Sequence, residues 1–343
     1  MRITSGRYSS SLSLATAFLA AVTLFLAACD GQPAAPAEDA SLPAQPFEIV
    51  PEAAVAARAA TMRGTHKLVT AQSRVAMPSS IHGLEADIIN SPFDLTYFGG
   101  ATVHNATSYN VYVNCATGPA KCWGTDGLTP ATFLSDLNRS DFIRVVNQYT
   151  GSDAKGRFPV AELSTTATFA QDPTGVHPPT ATILDIFRIV FSAVQATHVS
   201  GYKGVYHVFL PQGTDMCIDE FTCYSPDDFS TFVFCAFHGS VDFSPTLHVL
   251  FSVEPYQNVN GCEIPGQTPH GVIDATASTL SHELIETITD PDLDAWFNGL
   301  TGNEIADLCF VFGSNQRVNR NNYFIQAEYS NAVHACTMPN AQP

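Results

Sequence analysis

Five side chains near the C-terminal end of this sequence have the types and spacing to hold a divalent metal ion: His282, Glu283 and Glu286 in His282-Glu283-Leu284-Ile285-Glu286, then Glu304 and Asp307 in Asn303-Glu304-Ile305-Ala306-Asp307. On a helix, positions 282 and 286 lie one turn apart and project from the same side. An imidazole and a carboxylate there can grip one ion, which is the logic of the H-E-x-x-H metal helix with its second His replaced by Glu. Glu283, about a quarter-turn away, could take a proton from an attacking water as general base. Glu304 is the expected third ligand, and Asp307 is placed to orient His282 from outside the ligand set. The expected ion is Zn2+, and two oxygen ligands also admit harder divalent cations. The chemistry this implies is metal-assisted hydrolysis of a peptide or cell-envelope substrate. One His with two carboxylates neutralises a divalent ion, however, and so acidifies water less than a two-His set. The same ligands therefore suit a structural ion in a noncatalytic envelope or matrix-binding protein.

A helix must place these residues. Ile273, Ala277, Leu280, Leu284 and Ile288 recur at spacings of four, three, four and four, which predicts a helix over 273–290 stopped by Pro291. His282 and Glu286 then lie opposite the apolar stripe, where a merely solvated helix face would look the same. His238 ends a predicted strand and is a further candidate, as electrophile or fourth ligand, or as a hydrogen-bonded structural His. His334, Tyr323 and Tyr329 are weaker candidates for transition-state donors. Asp290 lies two turns beyond His282, ~12 Å along the axis, and reads as part of the helix end rather than as a ligand of the same ion. Phosphate loops, dinucleotide fingerprints and nucleophile elbows do not occur.

The elements around this helix alternate in type. Tyr109–Val113, Val205–Leu210, Thr231–Phe237 and Leu247–Val253 read as strands, with Asn322–Tyr329 as a last one. Thr182–His198 reads as a helix packed on a sheet, and Ser140 as the cap of a helix reaching Tyr149 before Gly151. Together these predict a mixed α+β domain over 93–340.

Eight cysteines fall within it, an even number that in an oxidising compartment favours disulfides over free thiols. The expected pairs are Cys115–Cys122, Cys217–Cys223, Cys235–Cys262 and Cys309–Cys336, the last tying the final strand to the segment after the candidate site. The ninth, Cys29, follows Leu26-Ala27-Ala28 at the end of an uncharged apolar stretch from Ser11, preceded by Arg2 and Arg7. Residues 1–28 thus read as a lipoprotein signal peptide, with Cys29 as the lipidated residue. The protein is expected to be exported and lipid-anchored to a bacterial membrane, facing the periplasm or the cell exterior. Residues 29–46, rich in Ala and Pro, read as a flexible tether, and 47–92 as a weakly defined leader. Two of the 15 Lys+Arg precede Cys29, which leaves 13 against 32 Asp+Glu, a net charge of −19. Such a surface repels phosphate backbones and excludes nucleic acid as a partner.

From Tyr97-Phe-Gly-Gly100 onward the chain resembles the Exordium, or phosphate-induced-protein, family of secreted proteins. The pieces that carry the resemblance are Cys235-Ala-Phe-His238, Ser281-His-Glu-Leu-Ile-Glu286, Asp294-Ala-Trp-Phe297, Glu304-Ile-Ala-Asp-Leu-Cys309 and Tyr323-Phe-Ile-Gln326, in that order along the chain. It implies a secreted domain with the H-E-x-x-E helix as a shared feature, and no defined activity. The helix and the downstream acidic pair separately resemble gluzincin metallopeptidases, with Glu286 in place of a His and Asp307 three rather than four residues after Glu304. That likeness implies a zincin-like mixed sheet with an H-E-x-x-E active-site helix, here stapled by disulfides.

Overall fold

β-branched and aromatic runs supply most of the longer strands in the computed structural model, which describes residues 44–51, 61–63, 94–264 and 270–338. The predicted signal peptide, Cys29 and most of the tether and leader lie outside the described residues. In chain order the strands are β1 (Gln45–Pro46), β2 (Thr61–Arg63), β3 (Thr96–Tyr97), β4 (Thr107–Val113), β5 (Val160–Thr165), β6 (Thr180–Thr182), β7 (Gly201–Phe209) and β8 (Asp215–Cys217). They continue with β9 (Cys223–Tyr224), β10 (Phe237–Ser244), β11 (Leu247–Glu254), β12 (Trp296–Phe297), β13 (Gly313–Val318), β14 (Asn321–Gln326), β15 (Glu328–Ser330) and β16 (Ala335–Thr337). The three longer helices are α1 (Pro130–Arg139), α2 (Ile183–Thr197) and α3 (Val272–Thr289).

The main sheet has the order β1-β5-β4-β7-β11-β10-β2. Its first five strands run parallel, β10 runs against them, and the edge strand β2 is antiparallel to β10. Phe133 and Leu137 of α1 and Leu280, Leu284 and Ile288 of α3 share one apolar cluster with Tyr112, Val205, Phe209 and Leu250 of the sheet. Ile186, Val190 and Val194 of α2 pack into a second cluster with Val111, Tyr206, Val208 and Phe251. Successive strand residues alternate between the two clusters, as a period of two requires. The result is a mixed α+β fold with helices on both faces of the sheet. All four expected cysteine pairs are disulfide-bonded.

Several elements differ from expectation for identifiable reasons. Ser140 does not start a helix. It ends α1, its hydroxyl donating to the Leu137 carbonyl at 2.8 Å, and a 3-10 turn over Phe142–Val146 follows. The apolar run from Thr231 is no strand until Phe237. Phe234, Cys235 and Ala236 are apolar because they are buried, with Cys235 bonded to Cys262. The predicted last strand is two, β14 and β15, which pair with β13 and β16 respectively. Gln45–Pro46 and Thr61–Arg63, from the segments read as tether and leader, form the two edges of the main sheet.

Helix α3 lies between the sheet and the β13–β14 hairpin, and every one of its residues is buried. Its hydroxyls tolerate this by bonding backward: Thr276 to the Val272 carbonyl at 2.7 Å, Thr279 to Ala275 at 3.1 Å and Thr287 to Glu283 at 2.7 Å. Asp274 accepts from the backbone N–H groups of His270 and Phe324, both at 2.9 Å, and so fastens the helix start to β14. At the other end Asp292 accepts from Ser240 at 2.5 Å and pairs with His248 at 3.1 Å, fixing the helix exit to β10 and β11. The sheet face beneath α3 carries a polar row, Glu162, Asn110, His207, Ser252 and His238, in register across five strands. That row leads into the site.

Candidate metal centre

Eight titratable side chains meet at α3: His282, Glu283, Glu286 and Asp290 from the helix and its end, His238 from β10, Glu304 and Asp307 from the following loop and turn, and Glu328 from β15. None is more than 6% exposed. The solvated-face reading of the helix is therefore incorrect, because the β13–β14 hairpin covers the side that a two-layer packing would have left in water.

Glu286 stands at the middle of the group. Its Oε2 lies 3.1 Å from His282 Nε2 and 3.5 Å from His238 Nδ1, and its Oε1 accepts from the Asp307 N–H at 3.1 Å. Candidate ligand atoms within 4.8 Å of one another fall into two sets, His238 with Glu286 and Glu304, and His282 with Glu286 and Asp307. The trio read from the sequence is thus divided: Glu304 belongs with His238 (Nε2 to Oε1, 3.6 Å), and His282 with Asp307 (Nε2 to Oδ1, 3.8 Å). Asp307, expected to orient His282 from behind, approaches its ligand nitrogen instead. Orientation falls to Gln326, whose Nε2 donates to the Ala306 carbonyl at 2.7 Å and whose Oε1 is thereby turned to His282 Nδ1 at 3.3 Å. This assigns the proton to Nδ1 and leaves Nε2 bare.

Electrostatics are dominated by burial. It raises the Glu286 carboxyl to about 7, against the pull of His238 and the N–H groups of Asp307 and Ala306. Burial raises Glu304 well above the carboxylate range, and the charges of Glu286, Asp290, Asp307 and Glu283 add to it. Glu328 is raised well above that range by burial and then by Glu286 and Glu283. Asp290 is pushed up to about 6 by burial, opposed first by its bond from the Ala295 N–H. Burial lowers His238, with Glu286 and Asp290 resisting. Among the described residues no Lys or Arg pairs with Glu286, Glu304 or Glu328.

The donor set fits a cation. His238 Nε2, His282 Nε2 and both oxygens of Glu304 and Glu328 are buried without a hydrogen-bond partner. The 3.1 Å approach of His282 Nε2 to Glu286 lacks hydrogen-bond geometry, so these atoms converge without satisfying each other. Buried groups of this kind hold protons or a metal ion.

A cavity of ≈50 Å³ adjoins the centre, lined by Asp290, Leu293, Phe297, Gly302 and Glu304. Phe297, the one aromatic side chain of its wall, carries aromatic neighbours. Phe98 stacks on Phe297 at 4.0 Å and Tyr97 lies 5.1 Å from Trp296, with Tyr97 and Phe98 half exposed. The backbones of these segments meet closely, Gly100 N–H donating to the Asp294 carbonyl at 2.9 Å. A Cβ at Gly100 would fall 1.8 Å from an Asp294 carboxylate oxygen, so only glycine fits. Leu293 is held at φ 59°, a left-handed conformation that costs of order 1–3 kcal/mol for a non-glycine residue.

Of the other candidates, His238 is brought into the centre, Glu283 Oε2 lying 3.3 Å from its Nδ1. Asp290 does serve the helix end, accepting from Ala295 N–H at 2.6 Å, but it also lines the cavity beside Glu304. His334, Tyr323 and Tyr329 are not donors at the site. Tyr323 bonds Asp136 at 3.0 Å, while Tyr329 and His334 bond Asp94 at 3.1 and 2.9 Å. Glu328 and Gln326 join the site with no motif to mark them as site residues, although an acid flanked by Ala327 and Tyr329 in an apolar strand is itself a signal of a buried partner. No family model, no curated protein and no solved structure matches the chain.

Proposed function

We propose that this chain is a metal-dependent hydrolase that works outside the cytoplasm, held to a membrane through lipidated Cys29, and that it cleaves peptide bonds or related amide links of the cell envelope. The observation that carries the reading is the position of Glu304. Its two partnerless buried oxygens belong to a ligand set, and the same residue lines a cavity whose wall includes Leu293 and Phe297, the latter stacked on half-exposed Phe98. Catalytic metal sites keep such an open side, whereas structural ones are closed. Four disulfides fit an oxidising, extracytoplasmic setting. A mixed sheet in which β10, antiparallel to both its neighbours, packs against the H-E-x-x-E helix supports a zincin-like architecture.

A divalent ion held here, Zn2+ foremost, would serve as a Lewis acid for a carbonyl group. Asp290 has one carboxylate oxygen without a partner and faces the cavity, which suits it to take a proton from an entering water as general base. Glu283, the base expected from the motif, sits against His238 and holds that ring. The apolar rim would receive an apolar or aromatic side chain of the substrate. The second reading, a structural ion in a noncatalytic protein, is favoured by the near-complete burial of His282 and Glu286.

The test uses the full chain purified in detergent, its metal content and its action on peptide and cell-wall fragment libraries. Asp290→Asn should retain its metal content and lose ~10²–10⁴-fold in turnover, and Glu304→Gln should lower metal content and lose turnover with it. Wild-type protein that holds metal but cleaves nothing gives the structural reading. A chain that binds no Zn2+, Mn2+ or Ca2+ ends both.

A further inference from the structure

We propose that the centre holds two divalent ions that share Glu286 as a bridging carboxylate. The inference rests on reading the cluster as a metal centre and goes beyond it in the number and roles of the ions. Two donor atoms bound to one ion at ~2.0–2.4 Å lie at most ~4.8 Å apart. His238, Glu286 and Glu304 meet that limit together, and so do His282, Glu286 and Asp307, but no mutually close set includes both histidines. A single ion therefore leaves one imidazole and one carboxylate of the five stranded in a dry interior. Two ions use all of them, and Glu286, 3.5 Å from one imidazole and 3.1 Å from the other, is the residue common to both sets. Carboxylate-bridged pairs of this kind stand ~3.5–4 Å apart.

Charge points the same way. Glu283, Glu286, Asp290, Glu304, Asp307 and Glu328 are six buried acids. One divalent ion offsets two of their charges and a second offsets two more, and burial of uncompensated charge is strongly unfavourable. Glu328, with both oxygens buried and partnerless and with Glu283 and Glu286 as its interacting acids, supplies a reserve donor beside the pair.

The two positions are unlike. Glu304 of the His238 set lines the cavity, so that ion faces the substrate side and exchanges quickly. The His282 set is enclosed by α3, the Asp307 turn and Gln326, and its ion exchanges slowly. The first is the reacting position and the second the anchor, an arrangement suited to holding both the attacking and the departing group of an amide or ester.

Metal-stripped full-length protein in detergent, titrated with MnCl2, should bind two Mn2+ per chain. Its electron paramagnetic resonance spectrum should show the multiline pattern of exchange-coupled Mn2+, and a chelator should remove one ion well before the other. His238→Ala, if its circular dichroism stays native, should bind one Mn2+, with an uncoupled six-line spectrum and slow release. Saturation of the wild type at one ion with a six-line spectrum overturns the two-ion centre and leaves the proposed function standing. Two ions without coupling overturn the bridge. No binding of Mn2+ or Zn2+ removes the proposed function itself. The wild-type measurements decide without any variant, so a misfolded substitution does not obscure the result.

Discussion

Replacing His207 by Asn should flatten the acid side of the stability curve. His207 lies in the polar row under α3, fully buried, with Nδ1 2.8 Å from Ser252 Oγ. That hydroxyl donates to Glu254 Oε1 at 2.8 Å, so it accepts from Nδ1–H, and Nε2 is left without a partner. A proton on Nε2 would be buried with nothing to receive it, and burial lowers the imidazole from 6.5 to about 3. The unfolded chain takes up a proton below about 6.5, whereas the folded chain does so only near 3. The stabilising contribution is thus fully present above the unfolded value and is lost as pH falls from there through the folded value. At ~1.4 kcal/mol per pH unit, that interval is worth roughly 5 kcal/mol. Asn keeps an amide donor near the Nδ1 position and does not titrate in the window. Urea unfolding of metal-stripped wild type and His207→Asn at pH 8 to 3 isolates the effect, because the acids of the centre are common to both. Above pH 7 the two stabilities should differ by a constant. Below 6.5 the wild type should fall relative to the variant, approaching the full amount near pH 3. Parallel curves down to pH 4 would show that His207 is solvated or charged in the fold.

Gln326→Leu should weaken Zn2+ binding ~10–100-fold in a chelator competition, since His282 loses the acceptor that fixes its ring, while Gln326→Glu should keep most of the affinity. Removing Cys309–Cys336, which closes a separation of 27 residues, should cost about 3.5 kcal/mol through loop entropy, against about 2.4 kcal/mol for Cys115–Cys122 with a separation of 7. Denaturant midpoints of the two double-alanine chains should fall in that order. Leu280→Ala, at a site with 0% exposure on α3, should destabilise by ~2–5 kcal/mol in the same assay. Cys29→Ser should move the protein from the detergent to the aqueous phase on partition, and unchanged partition would remove the proposed lipid anchor.

Local pattern carried much of the fold. Helix α3 was legible because an apolar stripe at helical spacing ends at a proline, and α2 because Ile183, Ile186, Phe187, Val190 and Val194 share one helical face; the structure adds a capping box of Thr182 and Asp185 at its start. That the cysteines pair was legible from their even number, whereas spacing alone does not choose among the 105 pairings eight cysteines allow; the bridges join cysteines that are neighbours in order along the chain. What failed was any feature where burial and pairing look alike in sequence. Val233–Ala236 is as apolar as a strand, yet it is a buried loop leading into His238. Gln45–Pro46 has no strand character of its own and pairs only because β5 offers an open edge.

The centre divides along the same line. His282, Glu283 and Glu286 could be found because a helix fixes their relation within one turn. Glu304 and Asp307 could be found because only a short segment separates them from that helix, but their partners could not be assigned, since a turn rather than a helix sets their direction. His238 and Glu328 depend on sheet register and hairpin docking. His238 reaches Glu286 because β10 pairs with β11 so that residue 238 stands opposite Ser252, on the face that α3 covers. A shift of one residue would aim the imidazole into the α2 cluster instead. The second histidine of the centre is therefore supplied by strand pairing rather than by the motif. That is why a sequence read through the H-E-x-x-H pattern shows a missing His at 286, while the fold places an imidazole on each of the two sets that share that glutamate.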